Sequence, residues 1–537
     1  MSRLDKENGF IIPAILSLMV ALSIITGAVV LLIDSNFSLV GRNIQSQQAF
    51  NIAEAGLNYY LWHLSHAPND YKDGQNTPST PTSLGYGPYV HDYVDSQLKN
   101  VGDFTLYINP TVNGSSVVKV RSIGKVAGTN ITRTIDAQIG APSFASYAVV
   151  SDAALWFGNT ESSNGPVQSN QGVRMDGASN DYITSPNATY TPPYSYGGCA
   201  GSNCSHPGVW CDPSVTAPVD CNTRSKSDWI YGGSVNGNSI QPVNFNLVTT
   251  TLCTIKKMAF SADSSTSALA SQANACTQTP NTRTPAYLPQ RATNGSFSVS
   301  KGYLIKLNNN GTYDLSQVNA ENDKLSPYTS ALNLVSVATN ITVPSSGVIF
   351  AEDNVWVISD PSSSYHGRVT IAAGRLATTK SADIVIAGNI KYSSKNGTDA
   401  IGLIAEDSVI VAPYAPPATG SFTFEVNAAL LAQSGAVVYP QVYRVDGNSC
   451  TRGWTSPNQI FSFYGSVASR QNWTWTINWG NYSCGNNAKD NISGDYISGV
   501  LNNSTQYDYN LQFSPPPSYP ITSSYNILSW HEVLVAP

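Results

Sequence analysis

Few residues in this sequence could carry chemistry, and they are scattered. Eight cysteines occur, none before Cys199. Cys199, Cys204, Cys211 and Cys221 form a cluster spaced C-x4-C-x6-C-x9-C; Cys253 and Cys276 follow, and Cys450 and Cys484 come late. An even count in an exported chain reads as a disulfide framework. His206 beside the cluster raises zinc as the alternative. The tight C-x2-C pairs of most structural zinc sites are missing, so no metal is expected. Local pairing is the expectation: within the 199–221 cluster, then Cys253 with Cys276 and Cys450 with Cys484.

The six histidines (His63, His66, His91, His206, His366 and His531) form no ligand pattern. His63 and His66 are three apart and share one face of a helix; they read as ordinary packing residues near its end. Glu352-Asp353-Asn354 and Glu406-Asp407 read as solvated turns at strand ends, with weak Ca2+ binding as the alternative. Asp383, Lys391 and Arg368 lie in neighbouring strands and are the one grouping from which an acid–base centre could be built. No G-x-S-x-G, H-E-x-x-H, Walker loop or G-x-G-x-x-G occurs. No catalytic residue is therefore assigned, and no cofactor is implied. Trp473 and Trp475 alternate onto one strand face, with Trp479 close behind. Exposed, such rings stack on sugars or anchor a protein partner; buried, they cover a core.

Composition bounds the rest. The chain has 537 residues, with 28 Lys and Arg against 34 Asp and Glu, a net charge of −6. Charged residues are 12%, about half of the roughly 25% usual in soluble proteins. No basic tract exists, which argues against a nucleic-acid partner. With 41% hydrophobic residues, the chain is not globally disordered. The richness in Gly and Tyr and the scarcity of Met suit an exported, β-rich surface protein.

The elements that would position these residues begin with an apolar run. Phe10–Ile33 carries no charge over 24 residues. As a helix it is about 36 Å long, enough to cross a hydrocarbon core of roughly 30 Å. A secretory signal has a shorter apolar core with a small-x-small cleavage site behind it. Here a polar leader, residues 1–9, ends in Gly9 directly before the run. That order suggests cleavage in front of the helix, leaving it on the mature protein. Beyond Ile33 apolar residues keep helical spacing (Phe37, Val40, Ile44, Ala49, Phe50, Ala53, Leu57, Tyr60, Leu61, Leu64), and Pro68 stops them. One helix is predicted over 10–66, membranous first and amphipathic after. Pro13 falls in its first turns, where it costs little.

Two features in this order resemble a known family. The leader and apolar run look like a type IV prepilin signal, and Gln47-Gln48-Ala49-Phe50-Asn51-Ile52-Ala53-Glu54-Ala55-Gly56-Leu57 resembles the hallmark segment of the PilX N-terminal family of minor pilins. The resemblance covers about residues 8–60. It implies cleavage between Gly9 and Phe10, N-methylation of Phe10, and filament packing through Ala14, Glu54 and Gly56. It also implies a prepilin peptidase, an inner-membrane assembly platform and other pilins as partners. The protein would be a single-pass membrane precursor and then part of an extracellular pilus. The fifth residue after the cleavage site is Ala14, where main pilins carry a Glu that neutralises a neighbour's amine. Without that carboxylate a stacked subunit would bury an unpaired amine, which is costly. The family therefore points to the filament tip.

The remaining chain reads as α+β, mainly β. Residues 67–140 hold a loop to about 100 and then a small pilin-like meander with strands at Phe104–Ile108, Ser116–Ile123 and Ile131–Ile139. From 141 the strands are four to six residues long, separated by Gly, Asn, Asp and Ser, with no fixed repeat. Such a ladder favours a parallel β-helix, with a sandwich as the alternative. It starts over 141–186 and resumes over 336–537. Between them lies a disulfide-pinned insertion, 187–335, with one short helix around Ser267–Ala275. The Pro515-Pro516-Pro517 run is expected to lie as an extended strip over the end coil. The expected function is a minor pilin that primes pilus assembly and adheres to a host or surface glycan or protein. The alternatives are a surface-anchored polysaccharide-processing β-helix enzyme and an unprocessed membrane scaffold.

Overall fold

The computed structural model describes residues 11–533 except 68–69, 76, 79, 111–116, 141, 160, 194–195, 197–203, 213, 215–227, 233–239, 292–300, 323–326, 361–362, 417–419, 440–457, 479–496, 501 and 523–524. The chain folds into two compact units. The first takes the N-terminal part to Pro110, Val118–Ile139 and the C-terminus from Tyr525; the second is inserted between these segments.

The first unit starts with helix α1, Ile11–His66, 56 unbroken residues. Its residues 12–40 are all exposed. By length and composition it could cross a membrane. The few hydroxyls in the apolar part are satisfied internally: Ser17 bonds the Ala14 carbonyl at 2.9 Å, Ser23 that of Met19 at 2.6 Å and Thr26 that of Leu22 at 2.6 Å. No polar side chain there depends on water, as hydrocarbon requires. From Ala49 onward one face is buried: Ala49, Ile52, Ala53, Leu57, Tyr60 and Leu64, at spacings of three and four.

That face belongs to a five-stranded sheet: β1 (Tyr86–Val94), β2 (Asn100–Pro110), β3 (Val117–Val126), β4 (Thr132–Gly140), then the C-terminal strand Asn526–Val533. β1 falls in the stretch expected as loop; Gly85, Gly87 and Pro88 mask its alternation in the sequence. The fifth strand comes from the end of the chain, so the C-terminal residues are not a cap on the larger unit.

The second unit is a solenoid built on one long sheet. In spatial order its strands are Tyr287–Leu288, Val348–Ala351, Arg368–Ala373, Ala400–Ala405, Phe422–Ala432, Gln459–Ser469, Val149–Ser151, Val167–Ser169, Ile183–Ser185 and Trp229–Tyr231. Every neighbouring pair is parallel. This is the β-helix expectation; an antiparallel sandwich would pair otherwise. The chain enters in the middle of the stack, winds to one end, and restarts at the other end to wind back. Register holds across that seam. Ile349, Ile371, Leu403, Leu430, Val467, Val149, Val167 and Ile183 lie opposite one another in sequence along the sheet, all buried. They face a second parallel row, Asn354–Ser359, Ile384–Ile386, Val409–Val411 and Val437–Val438, and share its core.

The long sheet is buried on its other face too. Phe350, Ala372, Ile404, Leu431 and Ala468 pack under helix α2, Leu247–Ser261, through Val248, Leu252, Ile255, Ala259 and Phe260. The sequence suggests only a short helix here, around Ser267–Ala275, of which Ser267–Ala270 is helical; α2 has no counterpart in that reading. Beside it runs the proline strip. Arg368 donates to the carbonyls of Ser514 (2.9 Å) and Pro515 (2.6 Å), and a Cβ on Gly402 would come within 2.9 Å of Pro516. The strip therefore covers the sheet face rather than the end coil. The 187–335 segment is likewise not wholly outside the stack, since Trp229–Tyr231 and Tyr287–Leu288 are its two end strands.

Glu352 and Asp353 are buried, not solvated turns. Glu352 pairs with Lys256 of α2, and Asp353 with Arg375. Tyr287 donates to Glu352 at 3.2 Å, and Lys256 also donates to the Cys276 carbonyl at 2.8 Å. Burial pushes the Glu352 carboxyl up and the Lys256 ammonium down, each opposed by the other's charge. Removing one partner of such a pair is far worse than removing both charges. Lys256→Met should therefore destabilise by about 3–5 kcal/mol. Adding Glu352→Gln should recover most of that loss, because the amide can still accept from Tyr287. Denaturant midpoints of the two variants decide this; equal losses would refute it.

Candidate functional site

In the first unit, the candidate site is the seat that holds α1. Its small residues let the helix sit close to the sheet. A Cβ on Gly124 would overlap the Ala49 carbonyl, and one on Gly56 would overlap Ser122 Oγ and lie 2.9 Å from Phe104. No Cβ fits at Gly56 or Gly124 without displacing a neighbour, and the buried Ala49 and Ala53 lie at the same close approach. It also corrects the expectation for Gly56, which is buried against its own sheet and cannot pack against a neighbouring subunit. Glu54 is exposed on the face turned away, and Ala14 is exposed in the apolar rod. Gly9 and Phe10 lie outside the described residues.

The far end of α1 is pinned by polar contacts. The Asp73 carboxylate is buried, accepts from the Tyr59 hydroxyl at 3.1 Å, and lies 2.6 Å from His91 Nε2. His63 Nε2 is 3.1 Å from Asp70 Oδ2. Asp70 also accepts from the backbone of Lys72 and Gly74, and its carboxyl is held below the usual range. The Tyr59 hydroxyl is pushed up to about 12, first by burial and then by Asp73. His66 does not share this contact; it bonds the Trp62 carbonyl at 2.8 Å. The histidines thus fasten the turn after the helix. Where α1 first meets the sheet, Phe50 sits under Arg133 at 5.7 Å and 6.0 Å from Trp530, while Arg133 pairs with Glu532 and bonds Ser46 at 2.6 Å. A cleft of about 310 Å3 on this unit is lined by Lys119, Arg121, Asp136, Gln138, Ser529 and His531 among others. Its central charges already satisfy each other, with Arg121 bidentate on Asp136 at 2.7 Å.

In the second unit the structure separates the grouping considered for acid–base chemistry. Asp383 accepts from the Ser408 amide at 3.0 Å, and burial pushes its carboxyl up to about 6. Arg368 is spent on the carbonyls of Gly397 and the proline strip. Lys391 donates its amide to Ser359. Asp383 and Arg368 are thus each committed to different backbone partners. Among the described residues, no group of three or more His, Cys, Asp or Glu could hold a metal.

Cys253 and Cys276 are joined, tying α2 to the turn behind it. Cys204 and Cys211 are also disulfide-bonded, so their thiolates cannot serve zinc. Cys199, Cys221, Cys450 and Cys484 lie outside the described residues. The tryptophans correct an expectation. Trp475 is buried, 5.0 Å from Phe461 and 5.9 Å from Phe463, and Trp473 packs on Phe157 at 5.6 Å and on Trp475 at 5.9 Å. They share a face as predicted, but that face is the core. Trp479 lies outside the described residues.

No protein-family model matches the chain, and no curated protein matches it. Among solved structures it is similar to the crystal structure of the competence-associated pilin ComZ from Thermus thermophilus. That match has 12% identity, covers 91% of this chain and 97% of that one, and has a TM-score of 0.28, too low to carry an argument.

The packing at Gly56 is directly testable. Gly56→Ala should destabilise the first unit by about 1–3 kcal/mol through overpacking. Ser122→Ala removes the nearest obstacle, a buried hydroxyl without a hydrogen-bond partner. Alone it should be neutral or mildly stabilising, and it should reduce the cost of Gly56→Ala. Thermal unfolding of the three variants reads this out; strictly additive effects would contradict the close-contact account.

Proposed function

We propose that this chain is a minor pilin of a type IV pilus-like filament. It is made as a single-pass membrane precursor, cut between Gly9 and Phe10, methylated on Phe10, and assembled with other pilins by an inner-membrane platform. One observation carries the reading: α1 is one continuous helix whose first half is an exposed apolar rod and whose second half is the spine of a small antiparallel sheet. A discarded signal would not be built into the folded unit in this way. The rod suits two apolar settings in turn, the bilayer and the interior of a bundle of such rods. The PilX-like segment falls where the helix leaves the rod and meets the sheet.

Position in the filament follows from Ala14. A subunit without a carboxylate there cannot offset the terminal amine of a neighbour stacked against it, which fits the tip, where the second unit is free to prime assembly and to adhere. The commitment of Asp383 and Arg368 to separate backbone partners weighs against the enzymatic alternative.

Mass spectrometry of protein from isolated filaments should find an N-terminus beginning at methylated Phe10. An intact Met1, or a cut behind the apolar run, would remove the pilin reading in favour of a membrane scaffold or a secreted protein. Immunogold labelling should place the protein at filament ends. Ala14→Glu should move part of the label into the shaft; label along the whole shaft in the wild type would end the tip assignment.

A further inference from the structure

The aromatic surface expected at residues 473–479 exists elsewhere in the second unit. Strands Leu155–Phe157, Val173–Met175 and Val209–Trp210 pair in parallel, with Trp156 opposite Arg174 and Arg174 opposite Trp210. The Arg174 guanidinium lies 5.0 Å from the Trp156 ring centre and 5.2 Å from that of Trp210. His206 stacks on Trp210, with ring centres 3.7 Å apart. The four groups form a pile whose outermost ring is Trp156.

Two things set Trp156 apart. It is fixed: its Nε1 donates to Asp176 at 2.8 Å, and the guanidinium behind it is itself held by Asp176 (2.7 Å), Asp212 (3.1 Å) and the Tyr196 carbonyl (2.9 Å). It is also open, 41% exposed where Trp210 is only 7% exposed. A flat ring that loses no freedom on contact is a preorganised platform. Tyr196, with its ring centre 5.8 Å away, stands beside it.

We propose that Trp156 is the stacking platform of a binding site for a neutral pyranose unit of a surface glycan, with Tyr196 as its side wall. The inference rests on the adhesive role given above. Among the described residues the cation of this pile, Arg174, is already matched by the carboxylates of Asp176 and Asp212, which disfavours an acidic sugar. The carboxylate of Asp212, partly exposed beside the pile, gives the platform a polar edge. The apolar C–H face of a pyranose fits a single exposed ring, and its hydroxyls fit that edge. The disulfide-bonded Cys204 and Cys211 flank His206 and Trp210 in the sequence.

The test is tryptophan-fluorescence titration of the full-length protein in detergent with cellohexaose, maltohexaose, mannohexaose and chitohexaose, with a sialylated and a sulfated oligosaccharide for comparison. At least one neutral oligomer should bind. Trp156→Ala should weaken it about tenfold or more, a loss of roughly 1.4 kcal/mol. Trp156→Phe should lose less, and Tyr182→Ala, which removes another exposed aromatic of this unit, should change nothing. An unchanged melting midpoint for Trp156→Ala shows that the fold is kept. Binding of no neutral oligomer, preference for the acidic ones, or equal binding by Trp156→Ala overturns the proposal. Immunogold labelling separates it from the filament reading: protein at filament ends that binds no sugar sinks only the platform, and sugar binding by protein that never leaves the membrane sinks only the filament.

Discussion

The larger unit depends on one register match. Its first strand, Val149–Ser151, pairs with the end of a strand more than 300 residues later, Val467 to Ser469. Because side chains alternate along a strand, a slip of one residue would turn Val149 outward and Val150 inward. The inner ladder of Ile, Leu and Val and the outer row beneath α2 would both break at that point. The match lets a chain that starts mid-stack close one continuous core. The seam is made of small and β-branched residues (Val467, Ala468, Val149, Val150), which stack without needing a particular partner.

Everything laid on the outer face follows from that continuity. Burying a sheet on both sides demands a cover, and α2 and the proline strip supply it together. The cover brings Lys256 onto Glu352, and the disulfide at Cys253 keeps the helix where the ammonium is needed. Past Val150 the outer row turns polar, at Gln168 and Thr184, which lie opposite each other in the next coils, and there the buried Gln168 donates to the Gln241 carbonyl of the segment laid over it. The composition of each row thus tracks what lies over it.

The sequence was most legible where one local pattern sufficed. The uncharged run and the three-and-four spacing of Ala49, Ala53, Leu57 and Tyr60 define α1, because helix geometry alone decides them. Short Val- and Ile-rich runs mark the solenoid strands for the same reason. Their order does not show, since pairing Val149 with Val467 is a long-range choice without a local signature. α2 hides behind Thr249, Thr250, Thr251 and Thr254, β-branched residues that lower helix propensity. Spacing correctly put Trp473 and Trp475 on one face, but which face is inside is a tertiary fact. Glu352 and Asp353 looked solvated because the cations that neutralise them lie elsewhere in the sequence. Trp156 stood in plain view, but what makes it a platform, Arg174 one coil away, appears only when the coils are stacked.

The insertion has a further consequence. The first and last segments of the second unit lie side by side: Ser143 bridges Ile521, the Phe144 amide bonds the Pro520 carbonyl at 2.9 Å, and the Thr522 amide bonds that of Pro142 at 2.7 Å. A pull on the second unit returns to the first through two covalent strands at once, each bearing part of the tension. A domain strung on a single linker has no such redundancy. One strand nicked by a protease would leave the other as a tether, so the second unit would stay attached after a single cut.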